Sequence, residues 1–158
     1  MTRREQYRGL HARLEALLEH ERDWVSAMAT VVCELHHTFE SFHWTGFYRV
    51  TEPGLLRIGP YQGGHGCLEI PFARGVCGAS AREAKLIRLD DVESFEGHIA
   101  CSATTRSEIV VPLLDSGGHV FAVLDVDSDH PAAFDHVDEE ELSLLADRLG
   151  RRYGSASS

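Results

Sequence analysis

The 158 residues are enough for one domain with a full hydrophobic core, and 43% hydrophobic with 25% charged residues is typical of a globular protein. The net charge of −10 argues against nucleic acid or an anionic membrane as partner, and no apolar run reaches the roughly 20 residues that span a bilayer. Four cysteines without an apolar secretory signal predict a cytoplasmic protein with reduced thiols.

Two amphipathic helices are predicted at the N-terminal end. Apolar side chains recur at three- and four-residue steps over about residues 5–20 and again over residues 24–42. Cys33 belongs to the second helix, where a free cysteine is most often a small core or near-surface residue. Both helices are apolar on one side only, so we expect each to need a sheet or another helix as cover.

Short strands and glycine-containing loops follow the helices. The predicted elements are a strand over residues 44–50, a return strand over 55–61, a short helix over 79–84 and a short strand over 86–89. Residues 90–105 are predicted to form one long irregular segment. Loops of that length inside a compact domain are usually functional.

A hairpin and a closing helix complete the chain. Strands over residues 108–114 and 120–127 flank the turn sequence Asp-Ser-Gly-Gly. Asp135 is placed to cap a last helix that has acidic residues in its first turn and arginines in its last. Residues 154–158 are predicted to be a disordered tail. The order of elements predicts one α+β domain over residues 1–153, an antiparallel sheet covered by helices.

Three carboxylates are predicted to share one face of the hairpin. Strand side chains alternate, so Asp125 and Asp127 point the same way, and a two-residue loop in either possible position puts Glu108 opposite one of them. An odd-length loop would break this arrangement. Phe121 and Val123 are expected on the same face, which is therefore not simply a solvated acidic surface. Like charges directly opposite are destabilising, so we expect a fold that keeps them to use them.

Cysteines in loops point to thiol chemistry. Cys67, Cys77 and Cys101 lie in glycine-rich or polar surroundings rather than in apolar periodic segments. Zinc binding with His65 or His98 is one interpretation, but no Cys-x-x-Cys pair is present to begin such a site. Inert structural cysteines are a second interpretation. Nucleophilic or redox chemistry is the third, and we favour it.

The residues alone leave the identity of the nucleophile open. A reactive thiol must be a thiolate, which a helix N-terminus or a nearby cation stabilises. Cys77 precedes a predicted helix, whereas Cys101 has His98 and Arg106 close by in sequence. Both cysteines therefore remain candidates.

A series of short motifs follows in one order along the chain. They are Trp-Thr-Gly-Phe-Tyr (44–48), Ile-Gly-Pro-Tyr-Gln-Gly (58–63), Ile-Pro-Phe (70–72), Gly-Val-Cys-Gly (75–78), Gly-His-Ile-Ala-Cys (97–101), Ser-Glu-Ile (107–109) and Leu-Asp-Val-Asp-Ser (124–128). Each is weak alone, but the ordered set resembles the free methionine-(R)-sulfoxide reductase family. That family is built on a single GAF domain, so the resemblance implies a central antiparallel sheet of about six strands flanked by helices. It covers roughly residues 22–150.

The resemblance implies a role for each loop cysteine. Cys101 matches the nucleophile, whose thiolate would attack the sulfoxide sulfur and become a sulfenic acid. Cys67 matches the resolving cysteine, which would condense with that acid to a disulfide. Cys77 matches a third cysteine that assists resolution. Thioredoxin would then reduce the disulfide by exchange. Neither a metal nor a bound cofactor is implied.

The resemblance also implies how the substrate is bound. Glu108, Asp125 and Asp127 match the family's active-site acids, and their mutual repulsion should raise the pKa of at least one. Trp44 and Tyr48 match aromatic walls around the S-methyl group of free methionine-(R)-sulfoxide. Ser102 and the threonines that follow depart from the family pattern, in the loop that should hold the substrate carboxylate.

Two further expectations concern assembly and alternatives. The family is homodimeric, and the N-terminal helices are the expected interface because they need cover. The rival function is a GAF sensory module that binds a small ligand or responds to redox state without turnover.

Overall fold

The computed structural model describes residues 1–155, which form four helices and six strands. The helices are α1 (Arg3–Leu17), α2 (Trp24–Thr38), α3 (Gly75–Glu83) and α4 (His136–Tyr153), with a 3₁₀ turn at Val92–Ser94. The strands are β1 (Trp44–Glu52), β2 (Leu55–Gln62), β3 (Glu69–Pro71), β4 (Ile87–Leu89), β5 (Ser107–Leu114) and β6 (Val120–Ser128). All neighbouring strands are antiparallel, in the order β3-β2-β1-β6-β5-β4. The α+β prediction with about six strands is confirmed.

Helices α1, α2 and α4 cover one face of the sheet. Their apolar stripes, among them Leu10, Met28 and Leu142, pack with Phe47 and Leu124 of the sheet into the larger core. The apolar sides of α1 and α2 are thus covered within the chain itself. The reason for placing a dimer interface on these helices no longer applies, and the homodimer stays a prediction.

A buried carboxylate joins the two ends of the chain. Asp138, in the first turn of α4, is fully buried and accepts hydrogen bonds from Arg3 Nε at 2.8 Å and from the Tyr7 hydroxyl at 2.6 Å. It also accepts from the backbone N–H of Asp135, whose own side chain caps α4 as the sequence predicts. The network fixes α1 against α4 because a buried charge must keep its partners.

The opposite face of the sheet carries a smaller core. Helix α3 lies over this face, where Val76 and Ala81 pack with Leu56, Ile70 and Val123. The segments before β3 and before β5 complete the cover, since Cys67 and Ile99 also pack against this core. Everything that the sequence predicts for the site lies on this side.

The β5–β6 hairpin differs from prediction in its turn. Asp115 and His119 close a three-residue loop, with the Asp115 N–H donating to the His119 carbonyl at 2.8 Å, and Gly118 has φ of 81°. A turn that ends in a left-handed residue is the common three-residue hairpin connection, and it is followed by a bulge. The bulge lies where Leu114 pairs with Val120 but Leu113 pairs with Ala122.

The bulge restores the register that an odd loop would otherwise have broken. It leaves Phe121 as an extra residue that turns to the helical side, where its ring lies 5.6 Å from that of Trp24. The expectation that Phe121 shares a face with the acids is therefore wrong, whereas Val123 lies on that face.

Two predictions concern the C-terminal tail and the absence of a membrane-spanning segment. Gly154 continues from α4 with its N–H donating to the Gly150 carbonyl, and residues 156–158 of the predicted tail lie outside the described residues. Within residues 1–155, no helix is both long enough and apolar enough to cross a membrane.

Replacing Asp138 by alanine should destabilise the fold strongly. The change leaves Arg3 and the buried Tyr7 hydroxyl without their shared acceptor, so we expect the free energy of unfolding to fall by about 3 kcal/mol. Glu140→Ala, which removes an exposed partner of Arg4, is the matched control and should change little. Urea titration measures both, and equal small losses would contradict the role of Asp138.

Candidate active site

A pocket opens on the face of the sheet that α3 covers. The residues around it come from β1, β3, β5 and β6, from α3 and from the two covering segments. They are Trp44, Tyr48, His65, Gly66, Ile70, Gly75, Val76, Cys77, His98, Ile99, Cys101, Ser102, Thr105, Glu108, Asp125 and Asp127. Of the predicted site residues, all but Cys67 line this pocket directly, and Cys67 is bonded to one that does.

Cys67 and Cys101 are joined by a disulfide, with their Cα atoms 5.3 Å apart. The bond connects the segment before β3 to the segment before β5, which are 34 residues apart in sequence. These are the two cysteines that the resemblance pairs. Both are partly exposed, so the bond can be reached from solvent.

Cys77 lies inside the first turn of α3 rather than before a helix as predicted, because α3 begins at Gly75. Its thiol is buried and forms no disulfide. Burial, followed by the charges of Asp125 and Glu108, raises the pKa of the Cys77 thiol well above its ordinary value. A helix N-terminus therefore fails to activate this cysteine, and the geometry favours Cys101 over Cys77 as the nucleophile.

The three acids come together through strand pairing. Glu108 of β5 is directly opposite Asp127 of β6, and Asp125 is opposite Val110 two residues along. This is one of the two registers predicted from the sequence. Glu108 is 6% exposed and Asp125 is 4% exposed. Three carboxyl groups thus lie side by side with little water around them.

Burial sets the protonation of this acid cluster. It raises the pKa of Asp125 well above its usual value, helped by the charges of Asp127 and Glu108. It also raises the pKa of Asp127 well above its usual value, helped by Glu108. Burial also acts on Glu108, but His98 and the two neighbouring acids outweigh it and hold the pKa of Glu108 below its usual value. The cluster therefore combines one ionised carboxylate with neutral carboxyls that can donate a proton.

His98 is a site residue whose position the sequence does not reveal. Its Nε2 lies 3.5 Å from Oε1 of Glu108, and its side chain is 16% exposed. The sequence places His98 only in a long irregular segment, so it indicates a loop-orienting residue as readily as an active-site one. His65, Ile99 and Thr105 line the pocket from similar segments, and no spacing signal in the sequence identifies them.

Aromatic rings form one wall of the pocket. The Trp44 ring stacks between Tyr48, at 5.9 Å between centroids, and Tyr61, at 5.4 Å. Its Nε1–H donates to the Gly64 carbonyl at 2.8 Å, which fixes the ring in place. Gly46 leaves the space across which the indole lies, since a Cβ there would be 2.7 Å from Trp44 Cζ3.

The departures from the family pattern lie at the rim. Ser102 lines the pocket but is exposed, and its hydroxyl is 3.1 Å from that of Thr104. Thr105 lines the pocket as well. Hydroxyl groups thus stand at the part of the rim where the sequence departs from the family pattern.

The arrangement brings together the parts that a thiol-based reduction requires. A cysteine pair that can cycle between thiols and disulfide lies beside neutral carboxyl groups, which can protonate a departing oxygen. One carboxylate remains ionised and can bind an ammonium group. The aromatic wall offers an apolar surface to an alkyl or thioether group.

Comparison with known proteins places the chain in a family. Residues 19–151 match the GAF domain family. GAF domain-containing protein A of Dictyostelium discoideum is 42% identical over 91% of this chain and 90% of its own length. The free methionine-R-sulfoxide reductase of Escherichia coli strain K12 is 36% identical over 94% of this chain and 89% of its own length.

Solved structures agree with the sequence comparison. The free methionine-R-sulfoxide reductase from Neisseria meningitidis, in complex with its substrate, is 39% identical and superposes with a TM-score of 0.93. The superposition covers 99% of this chain and 93% of that one. The chain is therefore a single GAF domain. Within the GAF domains it belongs to the free methionine-(R)-sulfoxide reductase family, as the series of motifs implies.

Replacing either buried aspartate by asparagine should stabilise the protein in a way that depends on pH. The folded protein holds protons on Asp125 and Asp127 that the unfolded chain has released above about pH 4, so these residues destabilise the fold as the pH rises through their raised pKa values. We expect Asp125→Asn and Asp127→Asn to raise the melting temperature more at pH 8 than at pH 5.

Asp147→Asn is the control for this prediction, because Asp147 is exposed and lies on α4, which covers the other face of the sheet. Its effect on the melting temperature should be small. A gain for the buried variants that is equal at both pH values would contradict the assignment of raised pKa values to Asp125 and Asp127.

Proposed function

We propose that the chain reduces free methionine-(R)-sulfoxide to methionine. The observation that carries this proposal is the Cys67–Cys101 disulfide at a pocket that also holds three acids, two of them buried. Relatives that are named free methionine-R-sulfoxide reductases support the same substrate. Reduction by a cysteine pair gives a role to the disulfide, to the acids and to the aromatic wall of the pocket.

Cys101 is the proposed nucleophile. Its thiolate attacks the sulfoxide sulfur, and the sulfur–oxygen bond of the substrate breaks. The oxygen is transferred to the Cys101 sulfur, which becomes a sulfenic acid, and methionine leaves. The Cys67 thiol then attacks the Cys101 sulfur, which forms the disulfide and releases the oxygen as water. The net change oxidises two thiols to one disulfide and reduces one sulfoxide to a thioether.

The acids act on the oxygen and on the amino group of the substrate. A neutral carboxyl, Asp125 or Asp127, donates a proton to the sulfoxide oxygen as its bond to sulfur breaks. Glu108, which is held ionised beside His98, binds the substrate ammonium group. Cys77 has a raised pKa and assists the resolving step without attacking substrate.

The shape of the pocket accounts for a free amino acid as substrate. Trp44 and Tyr48 contact the S-methyl group, and Tyr48 is only 2% exposed. The ammonium group lies near buried Glu108, so a methionine whose amino group is part of a peptide bond can neither enter nor pair there. A methionine sulfoxide within a protein chain is excluded on both grounds.

Recycling requires a reductant that reaches the disulfide. We propose thioredoxin, because Cys67 and Cys101 are partly exposed and Leu68, next to Cys67, is 72% exposed and offers an apolar contact. A homodimer and a cytoplasmic location belong to the same proposal. Leu17 and Val25, exposed by 56% and 57%, are apolar residues near the end of α1 and the start of α2 that a second copy could cover.

Turnover with separate epimers tests the proposed reaction. The protein is supplied with thioredoxin, thioredoxin reductase and NADPH, and the R and S epimers of free methionine sulfoxide are added in separate assays. NADPH consumption with the R epimer alone is the expected result. No turnover of either epimer by folded, reduced protein would contradict the proposal and favour a GAF sensory module.

Serine variants of the two cysteines should separate the chemical steps. Cys101→Ser should form no methionine, because the nucleophile is gone. Cys67→Ser should form about one methionine per protein from reduced enzyme and then recycle slowly, because the sulfenic acid has lost its partner. Cys33→Ser, which changes an exposed cysteine on α2, is the matched control and should behave as the unchanged protein.

Quantifying methionine in a single turnover distinguishes these outcomes. Full activity in both Cys101→Ser and Cys67→Ser would contradict the proposed roles. A full first turnover by Cys101→Ser alone would assign the attack to another thiol.

A further inference from the structure

A second set of ligands lies at the floor of the pocket. Ligand atoms of Cys77, Glu108 and Asp125 all lie within 4.8 Å of one another, and all three residues are buried. They are held by different elements, α3, β5 and β6, so the fold brings them together. Among residues 1–155, these are the three cysteine, histidine or acidic side chains that lie close enough together to hold a metal ion.

An unsatisfied buried oxygen points to a missing ligand. Asp125 is only 4% exposed, and its Oδ1 is inaccessible to solvent. This oxygen also receives no hydrogen bond from the described residues. Oδ1 of Asp127, which lines the same pocket, is in the same situation. Buried polar atoms in native proteins almost always have a partner, so these oxygens have lone pairs free for a cation.

We propose that Cys77, Glu108 and Asp125 form a binding site for a divalent transition-metal ion, with Zn²⁺ as the ion that best fits the donors. A thiolate is a soft ligand that selects zinc over magnesium or calcium, and carboxylate oxygens complete a mixed set that zinc accepts. Metal binding releases the protons that Cys77 and Asp125 hold in the metal-free protein, because metal ligands must be deprotonated. Three protein ligands leave one position of a tetrahedron open. Water or another small ligand would complete the coordination.

This site differs from the zinc site that the sequence suggests from Cys67, Cys77 and Cys101. Two of those sulfurs are joined to each other and cannot act as thiolates in the oxidised protein. The set of Cys77, Glu108 and Asp125 keeps its one thiol when the disulfide is formed. Metal binding is therefore available to the oxidised protein, in which the reduction cycle has stopped.

Metal at this site would inhibit the enzyme. Glu108 and Asp125 cannot bind the ammonium group or donate a proton while they coordinate the ion. This consequence rests on the proposed reductase function, whereas the binding of metal does not. Inhibition would be reversed by a chelator, since no covalent bond is formed.

Cobalt titration of the oxidised protein tests the site directly. Co²⁺ takes the ligands of Zn²⁺, and a cobalt–thiolate bond absorbs in the near ultraviolet. The test protein has its Cys67–Cys101 disulfide formed, so the free thiols among the described residues are Cys33 and Cys77. We expect the absorption to appear with one equivalent of Co²⁺ and to disappear when Zn²⁺ is added.

Matched variants locate the thiolate. Cys33→Ser should leave the titration unchanged. Cys77→Ser should lose the absorption and weaken Zn²⁺ binding by more than about 100-fold, because replacing even a residue that only contacts a metal ligand lowers metal affinity by about 10- to 100-fold. Asp125→Asn keeps the thiol and should weaken binding while retaining some absorption. Thermal melts of each variant show that the protein is folded.

Several outcomes would overturn the assignment. These are a titration without cobalt–thiolate absorption, an absorption that persists in Cys77→Ser, or one that is lost in Cys33→Ser. The absorption is measured without turnover, so the metal-site proposal can fail independently of the reductase proposal. A protein that binds cobalt through Cys77 but never reduces methionine sulfoxide would keep the metal site and lose the function.

Discussion

The pairing of β5 with β6 is the constraint on which the site depends. It puts Glu108 directly opposite Asp127, with Asp125 beside them, in a place where water is scarce. Opposed like charges would destabilise a sheet if all three were ionised. Burial and the neighbouring acids raise the pKa values of both aspartates, which favours the neutral carboxyl form and reduces that cost.

The covering segments convert this acidic surface into a reactive pocket. One precedes β3 and the other precedes β5, and the Cys67–Cys101 bond fastens them to each other across the face of the sheet. The segment before β5 also carries His98 to Glu108, which keeps that one carboxylate ionised. In the proposed reaction, thiol chemistry, proton donation and binding of the substrate ammonium group are thus coupled through the same loop. The three-helix layer on the other face contributes stability and leaves the site free.

Local patterns in the sequence predicted those parts of the structure that local physics determines. Alternation along one strand puts Asp125 and Asp127 on the same face, but Glu108 faces them only because a bulge restores the register after the three-residue loop. The position of Asp135 before α4 correctly predicts that it caps this helix. Alternation alone misplaces Phe121, because it does not include the bulge that turns this side chain to the helical face. Cys77 was placed before a helix instead of within one, since two glycines in the Gly-Val-Cys-Gly sequence hide the start of α3. The contact of His98 with Glu108 depends on the path of a long loop, and no periodicity records that path.

We expect the folded protein to keep a neutral carboxyl group beside the Cys67–Cys101 pair at neutral pH. Infrared difference spectroscopy in heavy water, comparing the unchanged protein with Asp125→Asn and Asp127→Asn, detects the C=O stretch that only a protonated carboxyl shows. At pH 7 the unchanged protein should show this band and at least one variant should lose it. A spectrum at pH 7 without a protonated carboxyl, or a band that neither variant removes, would contradict the claim.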